Sequence, residues 1–118
     1  MQRSIVGAMA LVVLAMPTYA AETQPLTIND VIKMASGDTQ LLSMVLGFGK
    51  GLEAANLKLA AIGRPMLYCA PGDLTIKSEQ YINIVSSYVQ KYPEWGKSDG
   101  RILPEVLAQA MMDTYPCE

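Results

Sequence analysis

Histidine is absent from all 118 residues. That one absence removes the commonest general base and the commonest metal ligand together. The serines have no imidazole to activate them, and no Ser-x-x-Lys pattern follows residue 20 to put a lysine in its place. Positive charge is also sparse: nine Lys and Arg stand against eleven Asp and Glu, with no basic run or stripe. A nucleic-acid partner is therefore a poor candidate. The glycines at 47, 49 and 51 sit inside an apolar helical pattern, so they form no phosphate-binding loop. These absences lead us to expect a protein that is not an enzyme and holds neither cofactor nor metal.

Cysteine occurs only twice, at Cys69 and Cys117. In an exported chain an even count reads as a disulfide, and two cysteines allow a single pairing. Closing a loop of about 49 residues would stabilise the fold by roughly 4 kcal/mol on the chain-entropy model. The alternative, two ligands of a soft metal, lacks a third ligand nearby. Five methionines follow residue 20: Met34, Met44, Met66, Met111 and Met112. They are scattered at helical positions and fit a core better than a copper site, which needs close, regular spacing.

The first 20 residues have the parts of an export signal. Arg3 supplies a short positive start, Ile5 to Met16 are uncharged and apolar, and Thr18 and Ala20 stand at −3 and −1 of a cut after Ala20. The apolar stretch falls short of the roughly 20 residues that span a bilayer. No cysteine near the cut offers a lipid anchor. The expectation is a cleaved signal peptide at 1–20 and one domain at 21–118, with no membrane contact after cleavage. Removing Arg3 with the leader leaves eight basic residues against eleven acidic, a net charge of −3.

Beyond the leader the periodicity is helical almost throughout. Thr27 and Asp30 cap a short helix with Ile28, Val31, Ile32 and Ala35 on one face, ended by Gly37. Asp38 caps a long one whose seam runs Leu41, Val45, Phe48, Leu52, Ala55, Leu59, Ile62, closed by Gly63. Each interior glycine costs up to about 1 kcal/mol, so Gly47, Gly49 and Gly51 together suggest close approach of a neighbouring helix or a kink. Residues 63–74 carry two prolines and two glycines and form an irregular loop. Thr75 is expected to cap a third helix bearing Tyr81, Val85, Tyr88 and Tyr92, which ends before Pro93. Tyr81 and Tyr88 are expected on the core with their hydroxyls at its rim. A polar connection follows, and a fourth helix carries Leu103, Val106, Leu107, Ala110, Met111 and Thr114, with Pro104 in its first turn. No run alternates as a strand does. The expected fold is all-α: a compact bundle of four main helices with one disulfide. Trp95 lies in the polar connection, where it either folds back as a lid on the core or anchors a protein partner.

Three segments in order carry a resemblance: Tyr68-Cys69-Ala-Pro71-Gly-Asp-Leu74-Thr75, then Tyr88-Val-Gln-Lys-Tyr-Pro93-Glu94, then Val106 through Tyr115-Pro116-Cys117. Over about residues 38–117 this resembles the Rap/Tai family of immunity proteins, small exported helical proteins with a Cys-x-Pro segment and a terminal aromatic-Pro-Cys. Some members carry additional cysteines, and the N-terminal helix here has none. The resemblance implies a periplasmic antitoxin of type VI secretion, usually a homodimer, that binds a peptidoglycan amidase effector and occludes its active site. It points to the connection between the third and fourth helices as the inserting element, here Tyr92, Glu94, Trp95, Lys97, Asp99 and Arg101. Glu94 or Asp99 would then meet a catalytic Cys–His pair, with Trp95 at the rim. Two other classes remain: a small periplasmic acid-stress chaperone, and an orphan accessory protein that keeps the fold without an amidase partner.

Overall fold

Thr27 opens α1 (Ile28–Ala35) with a reciprocal cap. Its Oγ1 accepts from the Asp30 N–H at 3.2 Å, and Asp30 Oδ2 accepts from the Thr27 N–H at 2.9 Å. Two first-turn donors that no helix satisfies by itself are paired in this way. The computed structural model describes residues 24–118, so the leader expected at 1–20 lies outside the described residues.

Asp38 starts α2 (Thr39–Ala61), its Oδ1 accepting from Gln40 N and Leu41 N at 3.0 and 3.1 Å. The helix ends at Gly63, whose φ of +71° is a left-handed conformation that side chains disfavour. Of the three interior glycines only Gly49 makes a close approach. A Cβ there would fall within the Tyr81 ring, whereas Gly47 and Gly51 face open space. The seam is covered over only part of its length. Val45 is buried and Leu41, Phe48 and Leu52 are partly so, but Ala55 and Ile62 are exposed. The reason is that the returning chain attaches to α2 at Asn56, a polar position outside the apolar series.

That attachment organises the irregular segment. Asn56 is 3% exposed, donates Nδ2–H to the Tyr68 carbonyl at 2.7 Å and accepts from Leu67 N at 2.6 Å. Its donor and acceptor replace two bonds that a loop cannot make with itself. The disulfide is formed: Cys69 and Cys117 are bridged with Cα atoms 5.0 Å apart, and Cys69 N donates to Tyr115 O at 2.8 Å. The loop is thus tied to α2 on one side and to the C-terminus on the other.

The third helix, α3, runs Ser78–Lys91, two residues later than a Thr75 cap implies. Ile76 is buried, and non-helical chain carries it to the core before the helix begins. The cap is instead at Lys77, whose N–H donates to Gln80 Oε1 at 2.7 Å. Beyond Pro93 the polar connection is not a plain loop. It forms a single helical turn, α4 (Pro93–Gly96), then a 3-10 turn at Gly100–Ile102, leading into α5 (Leu103–Thr114) with Pro104 in its first turn.

Helix α3 is the centre of the fold, packing against α2, α5, α1 and α4. Its Tyr81, Val85 and Val89 meet Val106, Leu107, Ala110 and Met111 of α5, with Ile28 and Ala35 of α1 and Val45 of α2 closing the same core. Each large side chain buried there contributes about 1.5–3 kcal/mol. Over the described residues the fold is all-α with four longer helices and one disulfide. Among the described residues no helix is long and apolar enough to cross a membrane.

Candidate functional site

Residues 92–101 owe part of their shape to their own sequence. Pro93 fixes the φ that a first helical position requires. Trp95 N then donates to Tyr92 O at 3.1 Å and Ser98 N to Trp95 O at 3.2 Å, closing α4. Asp99 caps the 3-10 turn, its Oδ1 accepting from Arg101 N at 2.8 Å.

The segment is also fastened to the start of α1. Ile28 N, another donor that α1 cannot satisfy internally, donates to Ser98 O at 2.9 Å, and Gly100 N donates to Leu26 O at 2.6 Å. Thr27 and Asp99 form an isolated antiparallel bridge between these two bonds. A Cβ on Gly100 would stand 2.9 Å from Val31 Cγ2 and 3.0 Å from Leu26 O, so glycine permits this approach. The connection is therefore tied down through Ser98, Asp99 and Gly100.

The six side chains divide by exposure. Trp95 is half-buried and packs against the core, as its lid reading expects. Tyr92 is 41% exposed, its ring 4.9 Å from that of Tyr88, with Lys91 Nζ 5.3 Å from its centroid. Lys91 is itself paired with Asp113 at 3.1 Å, and that hydrogen bond raises its pKa. Burial pushes the Tyr88 phenol up, with the neighbouring Tyr92 adding to it. Glu94 and Lys97 are exposed and stand 3.8 Å apart, a loose pair worth little in water. Asp99 is held in place by Arg101, 2.7 Å away. The guanidinium's hydrogen bonds, then the Arg101 backbone N–H, keep the Asp99 carboxyl below its ordinary range and raise the pKa of Arg101 in turn.

The structure thus brings all six residues onto one ordered segment but gives them different tasks. Tyr92 and Trp95 pack, Asp99 and Arg101 shape the turn, and Glu94 and Lys97 are free to meet another surface. Among the described residues no three His, Cys, Asp or Glu side chains gather where a metal ion would bind. Asn56 escapes a sequence reading because it interrupts a helical face with nothing to announce its partner. The only hint is a lone uncharged polar residue between Leu52 and Leu59, ahead of an irregular stretch.

No family model matches the chain, and no curated protein or solved structure matches it either.

Proposed function

We propose that this protein is a periplasmic immunity protein that binds and occludes a peptidoglycan amidase effector of type VI secretion. The observation that carries the proposal is the 92–101 connection, a charged and aromatic segment fastened by two backbone hydrogen bonds to Leu26 and to Ile28 at the start of α1. A segment ordered in advance loses less freedom on binding, which favours tight association. The motif order adds support, because the disulfide joins the two cysteine segments that carry the resemblance.

In this reading Glu94 is the group that enters the amidase site. Asp99 is committed to Arg101 and to the turn it caps, whereas Glu94 holds only a loose partner. A carboxylate set against a catalytic Cys–His pair would be drawn to the imidazolium and would cover the nucleophile. Trp95 supports the projection from beneath, and the inhibitor performs no chemistry. Export through a cleaved leader, where a disulfide persists, belongs to the same proposal, as does a homodimer.

The test is co-expression with the small amidase encoded beside its gene, both directed to the periplasm. Protection of the cells, together with inhibition of muropeptide cleavage by the purified pair, is the expected result. If no neighbouring amidase is inhibited, the immunity reading fails.

A further inference from the structure

A cavity of about 170 Å³ lies between α2, the loop after it and α3. It shares no residue with the 92–101 segment, so a ligand bound there would be independent of the immunity reading. Leu57, Met66 and Leu74 form apolar walls, and Glu53, Tyr68 and Tyr81 supply the polar atoms. The two tyrosines are 4% and 1% exposed, so their rings are structural. Among the described residues, no hydrogen bond to a protein group engages either hydroxyl, yet no enclosed side-chain polar atom is left unpaired. Both tyrosines line the cavity. Two phenol hydroxyls without a protein partner at one cavity are available to a ligand.

The charge of the site selects that ligand. Burial pushes the Tyr68 phenol up to about 12, with Tyr81 and the Glu53 carboxylate adding to the effect. Burial raises the Tyr81 phenol too, and Glu53 is the largest charge acting on it. Both phenols stay neutral and share the field of one carboxylate, which excludes an anionic ligand and favours a cation. Glu53 Oε2 is paired with Lys50 at 3.0 Å, both side chains being 47% exposed. One carboxylate oxygen remains, which suits the compact donor set of an ammonium better than the two-pronged guanidinium. The volume is below the roughly 300–1,000 Å³ of ordinary small-molecule sites, so it accepts a side-chain-sized group.

We propose that this cavity binds an alkylammonium group. Its hydrocarbon stem lies against Leu57, Met66 and Leu74, and its cation is held by Glu53 and the hydroxyl oxygens of Tyr68 and Tyr81. The group belongs either to a free amine or to a lysine side chain of a polypeptide.

The test is an NMR titration of the ¹⁵N-labelled oxidised protein with butylammonium chloride, with Nα-acetyl-lysine methylamide, and with butanol as the uncharged control. Saturable shifts at the Gly72 and Leu74 amides are expected with both ammonium compounds and not with butanol. Glu53→Gln, which leaves the core untouched, should weaken both by about tenfold or more, as loss of a charged hydrogen bond implies. Tyr68→Phe should weaken them less. Tighter binding of the lysine derivative identifies a polypeptide source, and tighter binding of butylammonium a free amine; either supports the site. No saturable shift, an equal response to butanol, or unchanged binding by Glu53→Gln overturns it.

Discussion

Asn56 reaches across twelve residues to donate its side-chain amide to the backbone carbonyl of Tyr68, at 2.7 Å. The same side chain takes up the Leu67 N–H. One buried polar residue therefore fixes where the irregular segment crosses α2. Asn56→Ala strands both backbone groups, each at a cost of about 1–3 kcal/mol. Asn56→Asp keeps an acceptor for Leu67 but turns a carboxylate oxygen toward the Tyr68 carbonyl, and should be no milder. Urea denaturation checks both, and a loss within about 0.5 kcal/mol, the usual range of a neutral surface change, would contradict the role.

Gly49 and its neighbours Gly47 and Gly51 should respond in opposite directions to alanine. Gly49→Ala places a methyl in the Tyr81 ring and should destabilise by about 1–3 kcal/mol through overpacking. Gly47→Ala and Gly51→Ala meet open space and should stabilise by about 0.5–1 kcal/mol, the helix preference of alanine over glycine. Thermal unfolding of the three single variants checks the contrast.

The Cys69–Cys117 bridge spans 48 positions. Cys69→Ser should cost about 2–5 kcal/mol, a fall in Tm of at least several degrees for a domain this size. Because Asn56 holds the loop independently, the reduced protein should keep its helical circular dichroism at low temperature. Mass spectrometry without reduction should show one cross-linked peptide pair.

Two half-buried carboxylates shape the acid limb of stability. Hydrogen bonds from the Thr27 backbone and then its hydroxyl lower the Asp30 pKa, and Arg101 lowers that of Asp99. A depressed folded value means that their contribution is present above the ordinary carboxylate pKa of 3.8. It is lost as pH falls through the folded value. Tyr68 acts at the other end with the opposite sign. Its contribution is present below 10.0 and is lost as pH rises toward about 12. Asp30→Ala should flatten the acid limb of Tm against pH, and Tyr68→Phe the alkaline limb.

The helix boundaries at Thr27, Asp38, Gly63 and Pro104 were legible because each is set by a local cap or turn residue. The pairing of Cys69 with Cys117 was legible because two cysteines leave no choice. The start of α3 was not, since burial of Ile76 outweighed the capping preference of Thr75. The glycines of α2 look equivalent along the chain, and only the position of Tyr81 on another helix separates Gly49 from the rest. The candidate connection was legible as a polar, aromatic-bearing stretch. Its order was hidden, because it depends on bonds to Leu26 and Ile28 some seventy residues earlier. The Glu53, Tyr68 and Tyr81 cavity depends on tertiary packing in the same way.

The central claim is that the 92–101 connection occludes an amidase. The most direct measurement is the affinity of charge-reversed Glu94→Lys for the cognate amidase, with the inhibition constant read alongside. Glu94 is nearly fully exposed, so the variant should unfold at the wild-type temperature, whereas Trp95→Ala would also disturb the core. For a complex in the nanomolar range, about −12 kcal/mol, reversal of a central charge should cost on the order of 2 kcal/mol or more, the scale of a hot spot. Inhibition should weaken in step. Wild-type affinity and inhibition by both Glu94→Lys and Lys97→Glu would contradict the account.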